Sequence, residues 1–254
     1  MRRHNTDQVN ISSGELKELR RVYDQLCYFS EKAKSMKRLQ EIENTLAGYP
    51  SFVTMKQVES CQLQYRRESV LEEMEEYQKI SLELGSERAE LEKMLETIET
   101  RPLQHIRLKD TAAALKSLGM KPSKREVQEM VWEVNDNLDG VIDWDMFRDA
   151  FVRKIQDKSG LEPGYFHHLV QFLIYDRDNK GRVSIDDMMN LLYARVGREG
   201  MDSMIAKLFG GQDDNSVIEV GVHGDEVDFR RYWEVLSNEQ RGMAAANKKG
   251  KRSR

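Results

Sequence analysis

The chain has 254 residues, 33% of them charged and 39% hydrophobic, and a formal net charge of -4. That balance suits helices with one wet face better than a thick α/β core, and it makes the chain as a whole a poor nucleic-acid binder. There is no run of about 18 apolar residues to span a membrane, and the start at Met1 lacks the apolar stretch of a signal peptide, so a soluble, cytoplasmic protein is expected.

Residues 1–12 read as a disordered terminus. From Ser13 to Ala47 the apolar residues Leu19, Val22, Leu26, Phe29, Ala33 and Met36 follow alternating steps of three and four, then continue through Leu39, Ile42 and Leu46 after one phase slip. Gly48-Tyr49-Pro50-Ser51 breaks that helix. From about Thr54 to Thr100 a second pattern places Val70, Met74, Tyr77, Leu84, Leu91, Leu95 and Ile98 in one heptad frame, with Ser81 and Arg88 at the two seam positions that are not apolar. At 1.5 Å per residue the two helices would span roughly 50 and 70 Å, so an antiparallel coiled-coil hairpin over 13–101 is expected, its longer arm leaving seam for a partner. Cys27 and Cys61 fall within these helical patterns, without the spacing of a zinc site or a disulfide framework.

After Pro102 short helical patterns alternate with Asp/Asn/Gly clusters. The stretch from Asp176 to Asp187 has the length and layout of a calcium loop, which wants oxygen ligands at positions 1, 3, 5, 9 and 12, a backbone carbonyl at 7 and glycine at 6. Those positions hold Asp176, Asp178, Lys180, Ser184 and Asp187, with Arg182 at position 7, Gly181 at the turn and Val183 at the strand position. A second loop begins at Asn135 and carries Asn137, Asp139, Gly140, Val141, Ile142 and Asp143 at positions 3, 5, 6, 7, 8 and 9. It ends on Met146, whose thioether is no substitute for a carboxylate toward a hard cation. Ser123 and Glu126, after Pro122, form the capping box of the helix that enters it.

The stretch Ala114–Gly119, then Pro122–Val127, then Asn135–Asp143 resembles the first lobe of the calmodulin/troponin C family, and the likeness extends from about Leu103 to Asn238. The resemblance implies an all-α fold in which the helical hairpin is followed by two paired EF-hand lobes, 102–156 and 162–239, with Asp157–Leu161 as linker. It implies a first hand with Ile106 at the strand position and Asp110 at the twelfth, but with Arg101, Leu103 and Gln104 where ligands and the turn glycine belong. A fourth hand would enter along Met201, Met204, Ile205 and Leu208 and leave along Phe229, Tyr232, Trp233 and Leu236, with Arg231 where a carboxylate should sit. Each loop of a pair gives a short strand to the other, so Ile106 is expected beside Ile142 and Val183 beside Val227.

Two functional readings follow. In the first, the protein is a non-catalytic scaffold or docking subunit of a larger assembly, binding partner helices through the coiled coil and the EF-hand grooves largely without calcium. The resemblance extends that assembly to cytoskeletal or axonemal ones, hence to the cytoskeleton or a cilium or flagellum. In the second, loop 176–187 is a calcium switch; with Lys180 beside the ligands and Asp187 one methylene shorter than Glu, Ca2+ or Mg2+ would bind only weakly there. No P-loop, nucleotide-binding glycine motif, zincin motif or nucleophile elbow is present, and adjacent His167 and His168 point to different faces of one helix, so no enzyme is expected. The basic tail over 240–254, with Lys248, Lys249, Lys251, Arg252 and Arg254, reads as disordered and able to touch tubulin or another acidic surface.

Overall fold

The computed structural model describes residues 11–48, 64–102, 104–135, 137, 139–157, 159–210, 226–238 and 242. The regular structure of the described residues is helical apart from two short ladders. It divides into two units, one of residues 1–30 with 104–254 and one of residues 31–103.

Several helices of the larger unit start where the sequence supplies a cap. Helix α1, Ser13–Leu26, opens on a capping box in which the Ser12 hydroxyl accepts from the Glu15 amide and Glu15 accepts from the Ser12 amide. It ends at Cys27, and Tyr28 takes φ +55° before α2, Phe29–Gly48, begins. The apolar pattern from Ser13 to Ala47 predicts one helix through this point, and the chain breaks it instead. No glycine or proline stands here, so the break is imposed by tertiary contacts and not by local propensity.

Strand β1, Ile106–Arg107, pairs antiparallel with β2, Val141–Ile142, and Ile106 faces Ile142 as expected. Helix α4, Leu108–Ser117, follows β1; α5, Lys124–Trp132, enters the second loop; and α6, Trp144–Gln156, leaves it. Helix α7, Tyr165–Tyr175, enters the loop at Asp176. Beyond that loop β3, Arg182–Ser184, pairs antiparallel with β4, Glu226–Asp228, Val183 facing Val227. Helix α8, Ile185–Phe209, is two helices merged across Gly197, which has φ +70°, and residues 229–238 are again helical. The core of this unit gathers Ile106, Ile142, Phe147, Phe166, Leu169, Phe172, Val183, Phe229 and Tyr232, each almost wholly buried.

The expected hairpin over 13–101 is therefore divided. Its first segment, α1, belongs with the C-terminal part, packing on α7, α4 and α6. The smaller unit contains the rest of α2 and α3, Gln64–Glu99; residues 49–63, including the expected turn and Cys61, lie outside the described residues. The two arms run antiparallel: Glu31 meets Arg101 at 2.9 Å, Ser35 meets Met94, and Arg38 grips Glu87 through two bonds of 2.6 and 2.9 Å. Along α3 the more enclosed positions include Tyr77, Ser81, Leu84, Leu91, Leu95 and Ile98, the expected frame, while Arg88 is exposed and ties to Glu92. On α2 the seam is Ser35, Leu39, Ile42 and Leu46. Met36, expected inward, is 63% exposed and Ser35 only 5%, because the turn at Cys27–Tyr28 resets the helical phase seven residues earlier.

Candidate functional site

The larger unit holds a helix in a groove, and that helix is its own α1. Leu19, Val22, Tyr23, Leu26 and Cys27 are essentially inaccessible to solvent. Tyr23 is the anchor: its ring meets Trp144 and Phe147 edge-on at 5.4 and 5.2 Å, and Phe147 in turn meets Phe166. Its hydroxyl donates to the Gln104 carbonyl at 2.7 Å, and burial holds the phenol well above its usual pKa. Polar contacts fix the register of α1. The Arg21 guanidinium donates to the Leu173 and Ile174 carbonyls at the end of α7, where free carbonyls favour a cation. Glu18 pairs with Arg177, Glu15 with Arg195, and the Gln25 amide donates to Asn179. Arg20 lies over the Trp144 ring at 4.8 Å.

The loops themselves are closed by protein groups. In the second, buried Asn135 donates from one amide nitrogen to Asp139 at 2.7 Å and to the Val141 carbonyl at 2.6 Å, and Asp139 also accepts from the Val141 amide. Positions 1, 5 and 7 are thus gathered around an N–H2 group. Asp143, at position 9, caps α6 by accepting from Met146 at 2.8 Å, while Asn137 is exposed.

In the third loop the carboxylate of Asp176 accepts from the Lys180 and Gly181 amides, both at 2.8 Å, while burial raises its pKa. The Lys180 ammonium, at position 5, lies 3.1 Å from Asp178 and 3.7 Å from Glu226, and Arg182 also faces Glu226. Asp187 is turned into a capping box with Ser184, accepting from its amide and hydroxyl at 2.9 and 2.8 Å. The fifth position, where a calcium ion wants an oxygen, is thus held by a cation, and the twelfth carboxylate is turned to the Ser184 cap. Among the described residues no three His, Cys, Asp or Glu side chains group as a metal site.

The same conversion of ligand to cap recurs in the outer loops. Asp110, fully buried, accepts from the Ser30 amide and hydroxyl at the start of α2 and from Arg107. Asp228 accepts from the Arg231 amide. The role of α1 and the cap on α2 could not be read from loop spacing, since both depend on contacts made across 80 residues of sequence or more.

Residues 111–154 match the EF-hand domain pair. Over 157 residues, 61% of the chain, it is 26% identical to calcium-binding protein 4 of Bos taurus and 25% identical to that of Homo sapiens. It is 27% identical over 129 residues, half of the chain, to the putative calmodulin-like protein 6 of Oryza sativa subsp. japonica, of which it covers 69%. The chain spans about half the length of the calcium-binding protein 4 relatives, 53% and 54%. An EF-hand pair is a binding module and not a catalytic one. No described helix is long and apolar enough to cross a membrane.

Proposed function

We propose that the protein is a non-catalytic EF-hand and coiled-coil scaffold, a docking subunit whose two EF-hand pairs, 102–156 and 162–239, hold a helix without needing calcium. The observation that carries this is α1, seated with Tyr23 between Trp144 and Phe147 while the loops are closed by Asn135 and Lys180. The groove that a calcium-loaded lobe would open to a target is here filled by the chain itself. Partner contact then falls to two other surfaces.

One is the 31–103 hairpin. Among its described residues only Ser35, Ile42 and Ile98 are buried, and Met36, Leu71, Leu82 and Met94 are exposed, which is too little enclosed apolar surface for two helices to stand alone. A helical or coiled-coil partner supplies the missing cover. The other is a cleft of about 430 Å³ floored by Leu115 and Met130, with Met120, Pro122 and the stacked pair Tyr165–Trp233 beside it. Lys121, Glu126, Glu129 and Arg230 also line it, so it suits an apolar side chain flanked by charged ones on a partner helix. Cytoskeletal or axonemal assemblies, and an acidic surface for the 240–254 tail, are the settings the resemblance favours.

The test is co-purification from the source cell with the tagged full chain and with a chain whose residues 31–103 are replaced by a short flexible linker, each with calcium and with chelator. The scaffold reading expects partners that the second chain loses and that calcium leaves unchanged. Partners recovered only with calcium would instead assign the switch to loop 176–187, and partners indifferent to the replacement would remove the hairpin's docking role.

A further inference from the structure

The turn between α1 and α2 is two residues long and is held open from outside. Tyr28, with φ +55°, occupies backbone space that an aromatic residue rarely visits. Its ring meets His105 at 4.9 Å with its hydroxyl 3.3 Å from His105 Nδ1, and the Arg107 guanidinium lies over the ring at 4.9 Å. Asp110 supplies the first turn of α2 with an acceptor. The sequence on both sides is helix-competent without a breaker, and Leu26, Phe29 and Ala33 keep one seam across the turn. With Cys27 and Tyr28 helical, Ser13–Gly48 is a single rod of roughly 54 Å, and an α1 that continues α2 in this way can reach a groove other than its own.

We propose that two copies of this chain exchange their N-terminal helices, α1 of each copy seating in the groove of the other. The groove itself fixes the occupant: it already matches α1 through Tyr23, Arg21, Glu18 and Glu15, and every one of these contacts is reproduced in the exchanged pair. Only the hinge differs between the two forms. A short hinge under strain beside a separable helix is the condition under which exchange costs little. Exchange would also give the scaffold two hairpins per particle. The inference rests on the seated helix and not on what the hairpin docks to, so either can fail while the other stands.

The test uses the full chain carrying Glu15→Cys and Arg195→Cys in a Cys61→Ser background, Cys27 being buried. The two positions pair at 3.0 Å between side-chain ends, so a short flexible bis-maleimide joins them within one chain in the closed form and between chains in the exchanged form. Denaturing gels should show a covalent dimer whose fraction rises with protein concentration. Tyr28→Ala and Ser30→Ala, which weaken only the turn and favour helix, should raise that fraction by about fivefold or more. Arg21→Met, which weakens the seat equally in both forms, should leave it unchanged. Links formed only within chains at every concentration in all three hinge backgrounds would overturn the proposal, and so would dimers in sedimentation that yield only intrachain links, since these associate by another surface.

Discussion

The amide nitrogen of Asn135 stands 2.7 Å from a carboxylate oxygen of Asp139, so a side chain at the first loop position neutralises the acceptor at the fifth. Its orientation is fixed by chemistry: turned over, its oxygen would face Asp139 and the Val141 carbonyl, two acceptors. Asn135→Ala should therefore cost about 1–3 kcal/mol in denaturant unfolding, with or without calcium. Asn135→Asp should be as damaging in chelator, because two carboxylates then meet, and should regain stability when calcium or magnesium is added. Wild-type protein should unfold at the same point in both buffers. An Asn135→Ala protein as stable as wild type would mean that the amide does not close the loop.

Glu133 and His167 line one water-sized cavity and oppose each other in pH. Burial pushes the Glu133 carboxyl up to about 7, against hydrogen bonds from the Phe166 and Tyr165 amides and the charge of Lys154. Burial, with His168, Arg195 and Lys154 nearby, holds the His167 imidazole far below its usual pKa. The raised carboxyl gives stability that is full below its unfolded value near 4.5 and is lost as pH rises through 7. The depressed imidazole gives stability present above its unfolded value near 6.5 and lost as pH falls below it. In the interval just below pH 6.5 the two limbs have opposite sign, so they offset each other and wild-type stability changes little with pH. Glu133→Gln should leave a rise over that interval, and His167→Phe a fall continuing to pH 7. Melting temperatures at half-unit pH steps decide this; parallel profiles for all three proteins would remove the pair.

Much of this arrangement was legible in the sequence. Gly140 and Gly181, both at positive φ, mark the two central bends, and the apolar residue two places on is the one that pairs across each ladder. Loop spacing carries that information because the turn and the strand are local. The degenerate ligand positions were equally plain, but their new work as caps and internal ion pairs was not, since a spoiled ligand looks the same whether idle or bonded. The α1 assignment failed for a different reason. A heptad stripe records that a face is buried and not what buries it, so Leu19, Val22 and Leu26 serve a groove as well as they would serve a coiled coil.

Tyr23 separates those two uses. Tyr23→Phe removes the bond to the Gln104 carbonyl and keeps the ring contacts, so it should cost about 1 kcal/mol. Tyr23→Ala also removes the edge-on contacts with Trp144 and Phe147 and should cost about 3–5 kcal/mol. If α1 is held chiefly by this anchor, limited proteolysis of Tyr23→Ala should cut within residues 13–28 while the ladders at Ile106–Ile142 and Val183–Val227 stay protected from amide exchange. Loss of protection throughout would show that α1 is part of the core and not a separable occupant.

Lys180 is the residue that sets the third loop apart from a cation site. Its ammonium sits on Asp178, whose carboxyl it lowers, and so places a positive charge where a fifth oxygen ligand would be. Lys180→Asp removes that charge and supplies a carboxylate. Asp187→Glu keeps the box with Ser184 in the metal-free loop, where glutamate is a usual partner, and lengthens the twelfth side chain so that it can leave the cap for two-oxygen contact with an ion. The double variant should bind calcium with a dissociation constant on the order of 10⁻⁵ to 10⁻⁴ M, and the single Lys180→Asp more weakly. Isothermal titration of wild type alongside should give no calcium heat in that range. A wild-type isotherm matching the double variant would show that Lys180 swings clear of the loop, and would move loop 176–187 from scaffold to switch.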